Sequence, residues 1–446
     1  MRTLSLATRQ IRRPVGRTSR WYEARPMRRL LLGSVALCLS FNLSCAFRAL
    51  RKDIEKSKQY ALITGSVQGD VRADATIVVV LLRSDTGVVV DSFALSRPSK
   101  YFFVVPAGDY FVAAFVDGDR DFRYDPSRER GVWYGSPDAI RVAKTGRVDG
   151  IDIAIEAPDA AVLDRALVAP ELGRRGIHEL PDVNIGTMTT LDDPRFTVEN
   201  GKLGMWQAVE FVLRVGAGIY FLEPYDPDKI PVLFVHGIGG NPAQFAHLIG
   251  RLDRKHFQPW LLYYPSGGRL DLLGAAQIRW LNTLHVKHPF QRLIIVAHSM
   301  GGLVARSAIN QWMQSIGGDN RKGELKAFVT ISTPWQGHAA AAAGVDYAPA
   351  VVPSWYDMDP HSDFLRGIFA TKLPSECRYY LFFSYEGGSG LMRGANDGVV
   401  RLASELAPAA QEEATRVWGF PENHDTILQS DDVAAALNGV LASLRQ

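Results

Sequence analysis

Between Leu293 and Arg306 an apolar run, Leu293-Ile294-Ile295-Val296, passes through Ala297-His298-Ser299-Met300-Gly301-Gly302 into Leu303-Val304-Ala305-Arg306. Residues 292–296 read as a buried strand and residues 302–315 as a helix, so only a tight turn joins them. The turn consists of small residues around one serine. Such a junction forces strained backbone angles on the serine and needs small neighbours. It projects the hydroxyl at the carboxyl edge of a sheet, over a helix N-terminus. An ordinary serine at a helix N-cap is the alternative.

The same alternation continues on both sides. Residues 231–235, 261–264, 327–332, 379–384 and 417–420 are short apolar runs of the kind seen in strands buried on both faces. Residues 242–252, 270–285 and 431–444 carry helical patterns, the first led by Asn241 and Pro242 as cap and first position. Strand and helix in this order imply a mostly parallel sheet with helices on both faces over residues 205–446.

The pentapeptide Ala297–Gly301 resembles the nucleophile elbow of α/β hydrolases, with Ala297 in place of the usual first glycine, and is similar to that of small bacterial lipases. Three further motifs fall in the matching order. Phe234-Val235-His236-Gly237-Ile238-Gly239-Gly240 is a glycine-rich loop after the 231–235 strand. By resemblance to lipases, the backbone N–H groups of Ile238 and Met300 are the expected oxyanion donors, each worth roughly 3 kcal/mol in acyl transfer. A phosphate loop is disfavoured, because no Lys-Ser/Thr follows. Gly394-Ala395-Asn396-Asp397-Gly398-Val399-Val400 is similar to the acid loop of lipases, which makes Asp397 the expected acid. His424, the last histidine of the chain, is the expected base; Asp425 beside it is a rival acid. Thr333-Pro334-Trp335-Gln336-Gly337-His338 and Met358–Leu365 resemble further segments of triacylglycerol lipases and phosphatidylinositol-deacylase-like hydrolases. Residues 337–375 break the strand–helix rhythm and are expected to form a lid or a structural cap. The remaining histidines show no zinc spacing.

Upstream, residues 60–156 change character. Short β-rich runs at 61–66, 77–82, 88–93, 101–105, 110–115, 139–142 and 151–155 are separated by turn signals, which predicts a small all-β sandwich. Phe102–Asp117 is similar to transthyretin-like sandwiches. Asp117, Asp119, Asp121 and Asp125 alternate on one loop and are expected either to bind calcium or to form a solvated acidic turn. Residues 46–59 are a charged spacer, and residues 157–204 an irregular linker.

The N-terminus reads as an address. Residues 1–29 hold nine arginines and one glutamate, which leaves a net charge of −5 on residues 30–446 out of +3 for the whole chain. That balance argues against a nucleic-acid partner. Arg28-Arg29 precede the apolar run Leu30–Phe41, of signal-peptide length, and Met27 is the expected start. Asn42-Leu43-Ser44-Cys45-Ala46 resembles a bacterial lipobox, with Asn42 where that motif usually has Leu, which implies a lipidated Cys45 and a membrane-anchored protein facing the periplasm; ordinary cleavage near Ser44 and an uncleaved anchor are the alternatives. With 47% apolar and 22% charged residues, extensive disorder is excluded. Of 446 residues only Cys38, Cys45 and Cys377 are cysteines, so no disulfide framework exists.

Together these features predict a cell-envelope serine hydrolase acting on acyl or lipid esters, with no cofactor required for catalysis. A thioesterase or acyltransferase using the same triad, and a non-catalytic binding module, are the alternatives.

Overall fold

The computed structural model describes residues 44–72, 75–135, 138–169, 183–315, 324–387 and 394–445. Met27, Cys38 and the apolar run before Cys45 lie outside them. Residues 47–446 form one compact unit.

Within that unit the N-terminal half is β-rich. Tyr60–Gln68 pairs antiparallel with Lys100–Pro106 and parallel with two short strands, Arg147–Val148 and Ile153–Ala154. A second sheet runs in the order Val89–Leu95, Thr76–Arg83, Gly108–Asp117, Gly131–Trp133. Ile63, Ile77, Val79, Leu81, Phe103 and Val112 from the two sheets share one core. The run Thr76–Leu82 is buried at every position. Its even members, Val78, Val80 and Leu82, face a second cluster with Phe115, Tyr124 and Leu163. Because both faces are covered, this strand is continuously apolar rather than alternating.

The C-terminal half is built on an eight-stranded sheet. In chain order its strands are β1 (Asn184–Met188), β2 (Gly218–Phe221), β3 (Ile230–Val235), β4 (Phe257–Tyr263), β5 (Leu293–His298), β6 (Leu325–Ile331), β7 (Arg378–Ser384) and β8 (Arg416–Phe420). Their order across the sheet is 1-2-4-3-5-6-7-8. Strands β3 to β8 are mutually parallel. Strand β2 runs antiparallel to β4, and β1 is parallel to β2. Strands β3, β4 and β5 are buried at every residue, as their unalternating sequences require.

The expected linker is not all irregular. Residues 184–188 supply an edge strand, and Val198–Trp206 forms a helix, α1, capped by the Thr197 hydroxyl, which accepts from the Asn200 N–H at 3.2 Å. Strand β1 was hidden because Gly186 interrupts it with a bulge at φ 71°. Helix α2 (Leu270–Lys287) joins β4 to β5, and helix α3 (Met300–Ser315) joins β5 to β6. The two pack side by side. The expected helix over 242–252 is instead a 3₁₀ turn, Pro242–Phe245, running into a short helix, Ala246–Gly250.

Helix α2 also carries the contact between the two halves. The Arg279 guanidinium donates to Asp91 Oδ1 and to the Ser92 carbonyl, both at 2.8 Å, and lies over the Phe93 ring. Among the described residues, no helix is long and apolar enough to cross a membrane.

Candidate active site

The carboxyl ends of the parallel strands bring the expected catalytic residues together. Ser299 follows β5 directly and sits at φ 56°, in the left-handed region. A non-glycine residue there costs of order 1–3 kcal/mol unless its surroundings hold it. Here the Ser299 N–H donates to the Ile331 carbonyl at 2.8 Å, and the Gly302 N–H returns to the Ser299 carbonyl at 3.0 Å. The small neighbours have a steric reason. A Cβ on Gly301 would lie 2.4 Å from the His236 carbonyl oxygen, and one on Gly302 would lie 2.1 Å from Thr333 Oγ1. The first turn of α3 therefore fits between the ends of β3 and β6 only as bare backbone.

His424 Nε2 lies 2.9 Å from Ser299 Oγ, and His424 Nδ1 lies 2.5 Å from Asp397 Oδ2. The His424 backbone N–H also donates to the Asp397 carbonyl at 2.9 Å, so the two loops are tied twice. Asp397 is fully buried. Its Oδ1 accepts from the N–H groups of Val399 at 2.9 Å and Val400 at 2.6 Å, and its Oδ2 accepts from the Ser384 hydroxyl at 3.0 Å. Burial by itself raises this carboxyl. The hydrogen bond and charge of His424, with the two backbone donors, outweigh it and hold the group below the usual carboxylate range. Asp425, the rival acid, is exposed, and its backbone N–H is tied to the Asn423 side chain. The Asp359 carboxylate accepts from the His361 N–H instead.

The glycine-rich loop passes directly over Ser299: a Cβ on Gly237 would meet its Oγ at 3.2 Å. Two donors of this loop are already used. Gly239 N–H donates to Ser266 Oγ at 2.8 Å and Gly240 N–H to the Gly237 carbonyl at 3.2 Å. The N–H groups of Ile238 and Met300 have no partner among the described residues. His236 stacks on Tyr264 and its Nδ1 bonds the Gly237 carbonyl at 2.8 Å. Burial pushes this imidazole down to about 4, so it stays neutral and braces the loop.

His298, next to Ser299, is a brace as well. Its Nε2 donates to the His424 carbonyl at 2.9 Å, and its Nδ1 accepts from the Gln244 amide at 3.2 Å. Burial, and then the charge of His424, push it down to about 3. Gln244 in turn accepts from the Asn241 N–H at 3.4 Å, closing a capping box. Gln244, Ser332, Ser384 and Glu405 escaped sequence reading. Only the capping pattern Asn241-Pro242-x-Gln244 carried a signal for any of them.

The segment expected as lid or cap contains helices α4 (Ala339–Tyr347) and α5 (Pro353–Met358). It is fastened at its base. The His338 N–H donates to the Met358 carbonyl at 2.9 Å. Asp357, buried, pairs with Arg269 at 2.7 Å and accepts from the Leu270 N–H at 2.7 Å, capping α2. The far side is gripped by the helix over residues 44–57: Arg51 donates to the Pro349 carbonyl at 2.7 Å, and Phe47 meets Trp206, which meets Trp355.

The acidic loop of the β-rich half is arranged differently from the expected set. Asp117, Asp119 and Glu129 converge, and Asp121 and Asp125 do not join them. The Asp117 carboxylate accepts from the N–H groups of Arg120 at 2.7 Å and Phe122 at 3.0 Å. Asp121 accepts from the Arg123 N–H, and Asp125 from Ser127. These carboxylates order the loop's own backbone, which holds Arg120 and Phe122 at positive φ. Cys45 is exposed; Cys377 is buried, and burial pushes its thiol up to about 12.

Comparison with known proteins gives a match of residues 273–357 to the family described as "Putative serine esterase (DUF676)". That stretch holds most of α2, the β5–Ser299–α3 junction, β6 and the first part of the cap segment. A protein named GPI inositol-deacylase, from Candida albicans, is 24% identical over 129 residues, covering 24% of this chain and 31% of its own length. The chain thus spans about a third of that relative. Among solved structures, the mature lipase BlEst2 of Bacillus licheniformis is 17% identical with a TM-score of 0.39, covering 51% of this chain and 98% of its own. Lipase B of Aspergillus fumigatus is 15% identical with a TM-score of 0.38, covering 52% of this chain and 57% of its own.

Proposed function

We propose that the protein is a serine hydrolase that cleaves carboxylic esters through an acyl-enzyme, with Ser299 as nucleophile, His424 as base and Asp397 as acid. The observation that carries this reading is the unbroken line Ser299 Oγ, His424 Nε2 and Nδ1, Asp397 Oδ2, at 2.9 and 2.5 Å. The likeness of residues 273–357 to a serine-esterase family supports the class of reaction.

The chemistry follows from the geometry. Asp397 holds the proton on His424 Nδ1, so Nε2 faces Ser299 as an acceptor. Nε2 removes the hydroxyl proton as Oγ attacks the ester carbonyl, and the imidazolium formed is stabilised by the buried carboxylate. The N–H groups of Ile238 and Met300 are the two donors for the oxyanion, and the N-terminus of α3 adds its dipole. His424 then protonates the leaving alcohol. Water, activated by the same imidazole, releases the acid. The same steps with another alcohol or a thioester would make the chain an acyltransferase or thioesterase.

For the substrate we propose an acyl or lipid ester. The Candida albicans relative is named GPI inositol-deacylase, and the segment expected as lid or cap exposes Tyr347 and Tyr356. Placement in the cell envelope, through a lipidated Cys45, rests on the lipobox-like sequence. Mass spectrometry of the membrane fraction should find a mature N-terminus at a lipid-bearing Cys45; an unmodified terminus elsewhere refutes it. For the activity, a fluorophosphonate probe should label wild type and not Ser299→Ala. The variant should lose up to ~10⁶-fold of the rate, the loss seen on removing the nucleophile of one well-studied serine hydrolase. Near-wild-type activity of Ser299→Ala on a panel of acyl esters of increasing length overturns the assignment.

A further inference from the structure

Glu405 is the last residue of the short helix Leu402–Glu405, at 1% exposure, and catalysis as derived above does not use it. Its Oε2 accepts from the Ser384 N–H at 3.2 Å. Ser384 is the residue whose hydroxyl donates to Asp397 Oδ2 at 3.0 Å and lies 2.6 Å from Ser332 Oγ. Glu405 and Asp397 thus grip one residue from two sides, with their side chains within hydrogen-bonding reach of each other. Glu405 Oε1 is buried and accepts from no donor among the described residues. No Lys, Arg or His pairs with it among those residues.

Two carboxyl groups side by side in a dry site do not both ionise; one keeps its proton. Which one keeps it is decided by the partners. Asp397 has His424 and the N–H groups of Val399 and Val400. Glu405 has one long backbone donor from Ser384, the Ser332 hydroxyl beside it, and no cation among the described residues. An ionised Glu405 would be an uncompensated buried charge, whereas a neutral one turns Oε1 into a donor. Burial, and then the charge of Asp397, push it up to about 9.

We propose that Glu405 is a positioning residue for the proposed triad: as a neutral carboxylic acid it donates a hydrogen bond to Asp397 and holds that carboxylate in line with His424. It touches no reacting atom and acts through Asp397. The groups facing it are Asp397 from the acid loop, with His424 behind it, and the uncharged Ser384 and Ser332 from the ends of β7 and β6. Ionisation of Glu405 would set a second negative charge against Asp397 and push it off the imidazole. The proposal rests on the triad reading.

The test is the pH profile of kcat for wild type, Glu405→Gln and Glu405→Leu on one short-chain ester. Glutamine keeps an acceptor for the Ser384 N–H and a donor for Asp397 but cannot ionise. Wild type should lose turnover above about pH 9, while Glu405→Gln stays within a few-fold of wild type at pH 7 and keeps its rate through that limb. Glu405→Leu, without the donor, should lose about tenfold or more in kcat with KM little changed. An identical alkaline limb in Glu405→Gln, or full activity in Glu405→Leu, overturns the proposal.

Thermal melts keep it falsifiable where Glu405→Leu folds poorly. The folded state keeps a proton that the unfolded chain releases above the ordinary carboxyl range, so stability falls as pH rises towards about 9. Glu405→Gln should therefore gain in Tm over wild type at pH 8 and not at pH 4; equal Tm differences at both overturn the proposal. Ser299→Ala separates the two readings. If it remains active, the triad is wrong. If it is dead while Glu405→Gln titrates like wild type, only the role of Glu405 fails.

Discussion

At the scale of single residues, the proposed acid illustrates how neighbours assign a role. Asp397, Asp425 and Asp359 are chemically identical; Asp425 adjoins His424, and Asp359 stands two residues before His361. Only Asp397 is wholly buried, receives backbone donors on one oxygen and meets His424 on the other. Asp397→Asn should cut kcat by about 10⁴, because an amide can donate to Nδ1 and favours the wrong tautomer. Asp425→Asn and Asp359→Asn should stay within a few-fold. The measurement is kcat for the three variants on one short-chain ester, with folding checked by thermal melt. Collapse of Asp425→Asn with Asp397→Asn near wild type would reverse the assignment. Two buried histidines beside this site, His236 and His298, are held neutral and serve as braces, so an acid limb in the rate near neutral pH is not theirs.

At the scale of the element, the β5–Ser299–α3 junction works only because glycine backbone can approach its neighbours. Gly302→Ala would drive a methyl group to 2.1 Å from Thr333 Oγ1 and tilt the first turn of α3. It should cost roughly 1–3 kcal/mol of stability and most of the activity, since the Met300 N–H and the Ser299 hydroxyl both move with that turn. Gly250→Ala is the control. Nothing lies within 4 Å of a Cβ there, and alanine in a helix is favoured by up to about 1 kcal/mol. Denaturant unfolding and kcat of the two variants check this. Equal behaviour would mean that α3 can shift without cost. The cap segment is legible at the same scale. Asp357 caps α2 and pairs with Arg269, which fixes the base of the segment while Tyr347 remains 84% exposed.

At the scale of the whole molecule, the β-rich half is docked on the half built around the eight-stranded sheet through a buried ion pair. Arg279 and Asp91 side chains are 9% and 3% exposed. Pairs of this kind contribute little net stability while intact, yet breaking one strands a buried charge. Asp91→Ala should cost about 3 kcal/mol by chemical denaturation. Asp91→Leu with Arg279→Met should cost much less, because both charges leave together and the Phe93 surface still has an apolar partner. A double variant worse than the single one would show that the Arg279 stacking, not the pairing, carries the contact.

The linear chain determined those parts of the protein whose cause is local. Uninterrupted apolar runs marked strands buried on both faces, and β3 to β8 stand within a few residues of the predicted runs. The crowding of small residues around Ser299 marked the strained junction, because a left-handed serine and a close helix exclude Cβ atoms wherever they occur. Local pattern was silent on what depends on distant partners. Strand β1 emerged from the expected linker because β2 supplies its hydrogen bonds, not because its own five residues demand them. The sequence left the acidic loop open between a calcium set and a solvated turn; only the fold turns Asp117 and Asp121 onto the loop's own backbone and brings the distant Glu129 beside Asp117 and Asp119. Glu405, in an ordinary surface-helix sequence, becomes a buried acid only because folding carries Leu402–Glu405 under the ends of β6 and β7. Charge type is written in the residue, but burial and the neighbouring charge, which decide its protonation, arrive only with tertiary structure.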